Sequence, residues 1–210
     1  MKFFSYPMSP NCRRVAATLA HLGLEAETVL VDLGKGATRT PEYLAVNPHG
    51  RVPALIDGDF HLSESYAIMQ YLCSKKPGNT LFPADARTQA DINRWMFWAA
   101  ATFSRPTGDL TYENLVKPMF GMGETDPAAV EKAQEGFRSL CRLLDAHLAD
   151  HKFLVGDGVT LADFTVASML TYAEPARMPV SEFPNVQAWL ARMETVPAWT
   201  ATAPQPMAHR

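Results

Sequence analysis

The chain has 210 residues, enough for one large domain or two modest ones with real hydrophobic cores. Apolar residues make up 47% and charged residues 20%, ordinary globular proportions that exclude a disordered or fibrous chain. A net charge of -3 gives no electrostatic reason to expect nucleic acid or an anionic membrane, and no run of 18 apolar residues offers a spanning helix. Cys12, Cys73 and Cys141 are odd in number and widely spaced, which is no disulfide framework and suits a reducing compartment. With no secretory pattern after Lys2, a cytoplasmic location is the expectation.

Along the chain, Lys2–Ser5 predicts a short strand. Ser9-Pro10-Asn11 is a helix start, and Val15, Ala16, Leu19 and Leu22 recur at helical spacing up to Gly23. Ala26–Leu33 alternates as a strand does until Gly34-Lys35-Gly36 breaks it. Pro41–Val46 predicts a short helix, closed by Asn47-Pro48-His49-Gly50. Ala54–Ile56 and Asp59–Leu62 form a hairpin around Asp57-Gly58, and Glu64–Ser74 is a helix with Ala67, Ile68, Tyr71 and Leu72 on one face. This order predicts a small mixed sheet with helices on its faces. Lys75–Asp85 is linker-like in composition, so the chain divides into an α/β domain over 1–76, a linker over 77–86 and an all-helical domain over 87–210.

Within the helical part, Ile92, Trp95, Met96, Ala99 and Phe103 share one helical stripe, and Phe137, Leu140, Cys141, Leu144 and Leu148 another. Leu161–Tyr172, Val186–Arg192 and Val196–Thr200 are further helices, and the tail after Trp199, with Pro204 and Pro206, is expected to lie loose or draped on the surface. Thr160-Leu-Ala-Asp163 spells a capping box with Asp in place of Glu. His147 and His151 stand four residues apart, but no third ligand accompanies them, so they are read as solvent-facing residues near a helix end rather than a zinc site.

Three stretches carry chemistry: Ser9–Val15 (Ser-Pro-Asn-Cys-Arg-Arg-Val), Asn47–Asp57 (Asn-Pro-His-Gly-Arg-Val-Pro-Ala-Leu-Ile-Asp) and Leu62–Ile68 (Leu-Ser-Glu-Ser-Tyr-Ala-Ile). Taken alone, Val52-Pro53 is equally an edge-strand or turn proline, because proline has no N–H for a ladder. Glu64-Ser65 opens a helix whose unpaired N–H groups and dipole favour an anion, and Ser63 or Ser65 could equally serve as a plain cap. Ser9 could be no more than the N-cap of its helix.

Together the three stretches resemble the glutathione-site signatures of the cytosolic glutathione transferase superfamily, in particular its bacterial, serine-type (phi- and theta-like) members, and the likeness spans nearly the whole chain. The resemblance implies a thioredoxin-like α/β domain followed by an all-α domain. It also implies a cis Val52-Pro53 bond whose exposed Val52 backbone pairs with the cysteinyl peptide of glutathione. Ser65 then holds the γ-glutamyl carboxylate and Glu64 accepts the α-ammonium. Arg51 stands where the family has Gln or Lys against the tripeptide. Arg39, after Thr38, stands where some classes have His-Lys near the glycyl carboxylate; an arginine there can grip a carboxylate bidentately or simply be solvated.

Ser9 would donate a hydrogen bond to the glutathione sulfur, since no Gly-x-Ser-x-Gly elbow and no neighbouring base equip it as a nucleophile. Asn11, Tyr6 and Cys12 compete for contact with the sulfur, with Asn11 the second catalytic candidate and Cys12 the better fit to a small buried position. Tyr6, Met8, Trp98, Phe103, Tyr112 and Phe120 are the expected electrophile pocket. The implied reaction is attack of glutathione thiolate on a hydrophobic electrophile, a detoxification chemistry. A glutathione-dependent disulfide reductase or peroxidase, or a non-enzymatic binding scaffold, are the alternatives. Glutathione is a co-substrate, no metal or other cofactor is implied, and the expected assembly is a homodimer, Pro48-His49 occupying the loop that inserts into the partner in some classes.

Overall fold

Lys2–Ser5 (β1), Pro10–Leu22 (α1) and Glu27–Leu30 (β2) open the chain in a computed structural model that describes residues 1–204. β1 and β2 run parallel, Lys2 opposite Glu27 and Ser5 opposite Leu30, so α1 is the crossover that parallel pairing requires. Pro41–Val46 (α2), Ala54–Asp57 (β3), Phe60–Ser63 (β4) and Ser65–Ser74 (α3) follow. β3 runs antiparallel to both β1 and β4, and the strand order is β2-β1-β3-β4. The hairpin turns one residue later than its Asp-Gly signal suggests. Asp57 pairs with Phe60, which leaves Gly58 and Asp59 in the loop, and Gly58 takes the positive φ of 64° that a side chain resists.

Alternation along β1 buries Phe3 and Ser5 on one face and sends Phe4 to the other, where its ring meets Tyr43 of α2 edge-on at 5.9 Å. α1 packs against α3, and Val15, Leu19, Ile68, Met69 and Leu72 are buried among the core residues. Ser9 caps α1 and Pro10 occupies its first turn, where the missing N–H costs nothing. Gly23 ends the helix in the left-handed conformation.

By contacts the chain forms two compact units, Met1–Phe82 joined by the chain from Val196 onward, and Pro83–Thr195. The second unit is helical: Ala86–Trp98 (α4), a π-helical stretch over Ala99–Phe103, Ser104–Thr111 (α5), a second π stretch over Tyr112–Val116, Lys117–Phe120 (α6), Pro127–Leu148 (α7), Leu161–Met169 (α8) and Pro184–Met193 (α9). The stripe from Ile92 to Phe103 is buried, as are Phe137, Cys141, Leu144 and Leu148. The capping box forms as spelled, Thr160 and Asp163 bonding each other's backbone.

Pro197–Thr200 (α10) departs from the division drawn on the sequence, because it packs on α1 of the first unit. The buried Trp199 ring lies 3.5 Å from the Arg13 guanidinium, which also donates to the Trp199 carbonyl at 3.4 Å. The Thr202 hydroxyl donates to the Ala198 and Trp199 carbonyls, so the tail is tied through that residue; Pro206 lies outside the described residues. His147 also differs from expectation. Its ring is half-buried, 4.8 Å from Trp95 and stacked 4.1 Å from His151, with Nε2 2.9 Å from the Leu154 carbonyl. Among the described residues no cluster of His, Cys, Asp and Glu is arranged to hold a metal ion, and no helix is long and apolar enough to cross a membrane.

Candidate functional site

Strand register brings three of the flagged segments to one end of the sheet. Phe4 and Ser63 both lie opposite Ala54, so the loop after β1, the residues before β3 and the start of α3 are neighbours at that edge. From the first segment comes Ser9. Its Oγ accepts from the Cys12 N–H at 3.4 Å, capping α1, and its own N–H donates to the Tyr6 carbonyl at 2.9 Å. A hydroxyl has two acceptor lone pairs and one proton to give, so the capping bond does not consume the Ser9 O–H, for which the Cys12 thiol is the neighbouring acceptor at this helix N-terminus. Capping and ligand binding are therefore compatible. Asn11 is exposed in the same first turn, while half-buried Tyr6 bonds the Met8 sulfur through its hydroxyl at 3.9 Å.

Cys12 is buried, with its Sγ accepting from the Tyr6 N–H at 3.4 Å. Burial pushes its thiol pKa up, and the hydrogen bonds from Tyr6, Ser9 and Ser5 only partly oppose this. A protonated, enclosed thiol is a poor nucleophile.

The second segment contributes Val52-Pro53, whose peptide bond is cis, with Pro53 buried. Just before it, the Arg51 carbonyl is gripped by the Tyr43 hydroxyl at 2.7 Å and Asn47 Nδ2 at 2.6 Å, which fixes the loop that leads into β3. Gly50, at φ 60°, leaves no room for a side chain: a Cβ there would meet the Thr38 carbonyl at 3.0 Å and Arg39 Nη1 at 3.1 Å. The Arg39 guanidinium thus lies beside Gly50, and both Arg39 and Arg51 are exposed.

The third segment is the start of α3. Its N-cap is Glu64, at φ 67° and ψ 112°, and no side chain caps the helix. The first-turn N–H groups are left for water or an anion. Ser65 is buried, and its Oγ takes a 3.4 Å bond from Nη1 of the equally buried Arg14. Arg14 had no role in the sequence reading. The available signal was an arginine between Cys12 and Val15 on a helix face that is otherwise buried.

The expected electrophile residues fare unevenly. Tyr6 and Met8 flank the Ser9 loop. In the helical unit Trp98 is half-buried, while Tyr112 and Phe120 are 40% and 51% exposed. Phe103 is fully buried, stacked 4.8 Å from Trp98 and 5.6 Å from Phe137. It is a core residue with no free face, a distinction that helical spacing alone does not make.

The fold is a thioredoxin-like α/β domain with an all-α domain, and comparison with known proteins agrees at each level. Residues 3–80 match the glutathione S-transferase N-terminal domain and residues 107–197 its C-terminal domain. Glutathione S-transferase 3 of Zea mays is 41% identical over 207 residues, covering 96% of this chain and 92% of that protein. The crystal structure of glutathione transferase F7 from Populus trichocarpa superposes with a TM-score of 0.89 at 29% identity, covering 96% and 97% of the two chains. A glutathione S-transferase-I bound with lactoylglutathione gives 0.87 at 30% identity, with the same coverage. The chain belongs to the glutathione S-transferase family.

Proposed function

We propose that this chain is a serine-type glutathione transferase, in which Ser9 holds the glutathione sulfur as a thiolate for attack on a hydrophobic electrophile. The observation that carries the reading is the position of the Ser9 hydroxyl: its oxygen accepts from the Cys12 N–H at the N-terminus of α1, at the sheet end that bears Val52-Pro53 and Ser65. The Val52 backbone pairs with the cysteinyl peptide, Ser65 and the open start of α3 take the γ-glutamyl carboxylate, Glu64 takes the ammonium, Arg51 contacts the tripeptide and Arg39 takes the glycyl carboxylate.

A free thiol titrates near about 8.5. Lowering that by two units needs about 2.7 kcal/mol. One hydrogen bond to a charged sulfur supplies roughly 1.5–3 kcal/mol, and the helix dipole about 0.3–1. Asn11, in the same turn, is the second donor in reach of this role. Cys12, enclosed and protonated, is not the nucleophile. Tyr6 and Met8 offer apolar surface beside Ser9; within the helical unit Trp98, Tyr112 and Phe120 are the candidate electrophile contacts, with Phe103 stacked on Trp98. A cytoplasmic homodimer completes the proposal. The family supports the dimer, and three buried free cysteines suit a reducing compartment. The named plant relatives support the phi-like half of the reading and not a bacterial source.

Calorimetric titration with glutathione and turnover of 1-chloro-2,4-dinitrobenzene test this directly. Ser9→Ala is expected to lower kcat at neutral pH by about a hundredfold and raise the bound thiol's pKa by about two units, with glutathione affinity little changed. An unchanged rate removes Ser9 from the chemistry. Turnover of hydroxyethyl disulfide without conjugation would replace the transferase reading with a reductase.

A further inference from the structure

The far end of the chain returns to the turn that carries Ser9. Arg13 lies one turn further along α1, and its N–H donates to the Ser9 carbonyl at 2.9 Å, the bond that closes the first turn of the helix. Its guanidinium carbon stands 3.5 Å from the centre of the Trp199 ring, and Nη2 donates to the Trp199 carbonyl at 3.4 Å. The two residues are 7% and 2% exposed, so water has little access to the contact. The residues after Trp199 stay close to the same turn. A cleft of about 240 Å³ is lined by Tyr6, Pro7 and Arg13 together with residues 201–203, and the Tyr6 carbonyl accepts the Ser9 N–H at 2.9 Å. The Thr202 hydroxyl donates to the Ala198 and Trp199 carbonyls at 3.0 Å, which ties that stretch to α10.

We infer that Arg13 and Trp199 are positioning residues for Ser9: α10, through its grip on the Arg13 guanidinium, holds the first turn of α1 so that the Ser9 hydroxyl stays directed at the glutathione sulfur. The inference rests on the role of Ser9 proposed above. The first turn of a helix is its weakest part, because its N–H groups have no partner within the helix. Ser9 and Arg13 are the two ends of that turn. Ser9 is held locally, by its cap bond and the Tyr6 carbonyl, whereas Arg13 is held by a segment 186 residues further on. A planar guanidinium stacked on an indole and bonded to a carbonyl fixes both the tilt and the rotation of the turn that bears it. Such precision matters, because a hydrogen bond weakens steeply with angle and a displacement on the order of 1 Å at a reacting group can cost about a hundredfold in rate.

The test compares wild type, Trp199→Leu, Arg13→Lys, Thr202→Val, Ser9→Ala and the double variant Ser9→Ala/Trp199→Leu. Each is titrated with glutathione by calorimetry. The pKa of the bound thiol is read from the ultraviolet absorbance of the thiolate and from the pH profile of 1-chloro-2,4-dinitrobenzene turnover. Trp199→Leu is expected to raise that pKa by about one unit and lower kcat about tenfold at neutral pH, with the rate returning towards wild type in alkali and glutathione affinity within about twofold. Arg13→Lys keeps a cation over the indole but loses the planar fork, and a smaller rise is expected. In the double variant the loss of Trp199 adds nothing to Ser9→Ala, because it acts through that hydroxyl. Should Trp199→Leu fail to fold, Thr202→Val at its half-buried position carries the test, with a rise of about half a unit. A lower melting temperature with an unshifted thiol pKa, or a Trp199→Leu loss that adds fully to that of Ser9→Ala, overturns the inference. Where Ser9→Ala itself leaves the pKa unchanged, the role of Ser9 falls and this inference with it; a shift with Ser9→Ala and none with the Arg13, Trp199 or Thr202 variants overturns this inference alone.

Discussion

Glu64 and Gly50 both hold positive φ, for opposite reasons. At Gly50 the space for a side chain is filled by the Thr38 carbonyl and the Arg39 guanidinium, so glycine is required. At Glu64 a glutamate is kept at φ 67° and ψ 112°, a conformation that costs on the order of 1–3 kcal/mol and persists mainly where function uses it. Glu64→Gly should therefore raise Tm by about 2–4 °C while weakening glutathione binding about tenfold, as the ammonium loses its carboxylate. A melt combined with calorimetry checks both, and a lower Tm with intact binding would contradict the strain argument. Ser9 was legible in the sequence because a serine before proline at a helix start has a local signature. Arg14 was not: it is adjacent to Arg13, yet one side chain reaches Ser65 and the other Trp199, and no local rule separates them.

At the scale of elements, α8 shows how a local motif acquires a tertiary role. Asp163 is fully buried and accepts from the Thr160 N–H at 2.8 Å and hydroxyl at 2.9 Å, as its capping box requires. The same carboxylate also accepts from the Leu154 N–H at 2.9 Å and Trp189 Nε1 at 3.0 Å, joining α8 to the loop before it and to α9. Asp163→Ala leaves four buried donors short of an acceptor, and a loss of about 3 kcal/mol or more is expected. Denaturant unfolding measures it; a loss under about 1 kcal/mol would reduce Asp163 to an ordinary cap. The capping box was readable because its partners are three residues apart. The two π-helical stretches between α4 and α6 were not, since they leave the apolar spacing of the run nearly unchanged.

For the whole molecule, the titrating groups make stability depend on pH in a definite direction. Burial holds the His21 and His147 pKa values below the usual 6.5. Asp57 is held below its ordinary value by hydrogen bonds from Lys75 and Tyr71, Asp85 by the Thr88 backbone, Glu113 by the Asp126 backbone and Lys117, and Glu182 by Arg138. For each the folded pKa lies below the unfolded one. Its contribution is therefore full above the unfolded value and is lost as pH falls. Tm should hold near neutrality, decline first below about pH 6.5 as the histidines protonate, and fall further below about pH 4 as the carboxylates follow. His147→Gln should remove part of the first stage in a pH series of thermal melts. A single decline, confined to the carboxylate range, would contradict the histidine part.

The sequence by itself determined what depends on neighbours a few residues away: the switch from mixed to helical periodicity, the Ser9 and Asp163 caps, the Gly23 stop and the three stretches that carry the family resemblance. Only the tertiary structure decided that α10 returns to α1, that Phe103 is core, that the β3–β4 turn slips by one residue and that Arg14 stands behind Ser65. Those outcomes depend on which distant surfaces meet, and local propensity and spacing are nearly blind to that because they are the same for a residue facing a core as for one facing a ligand.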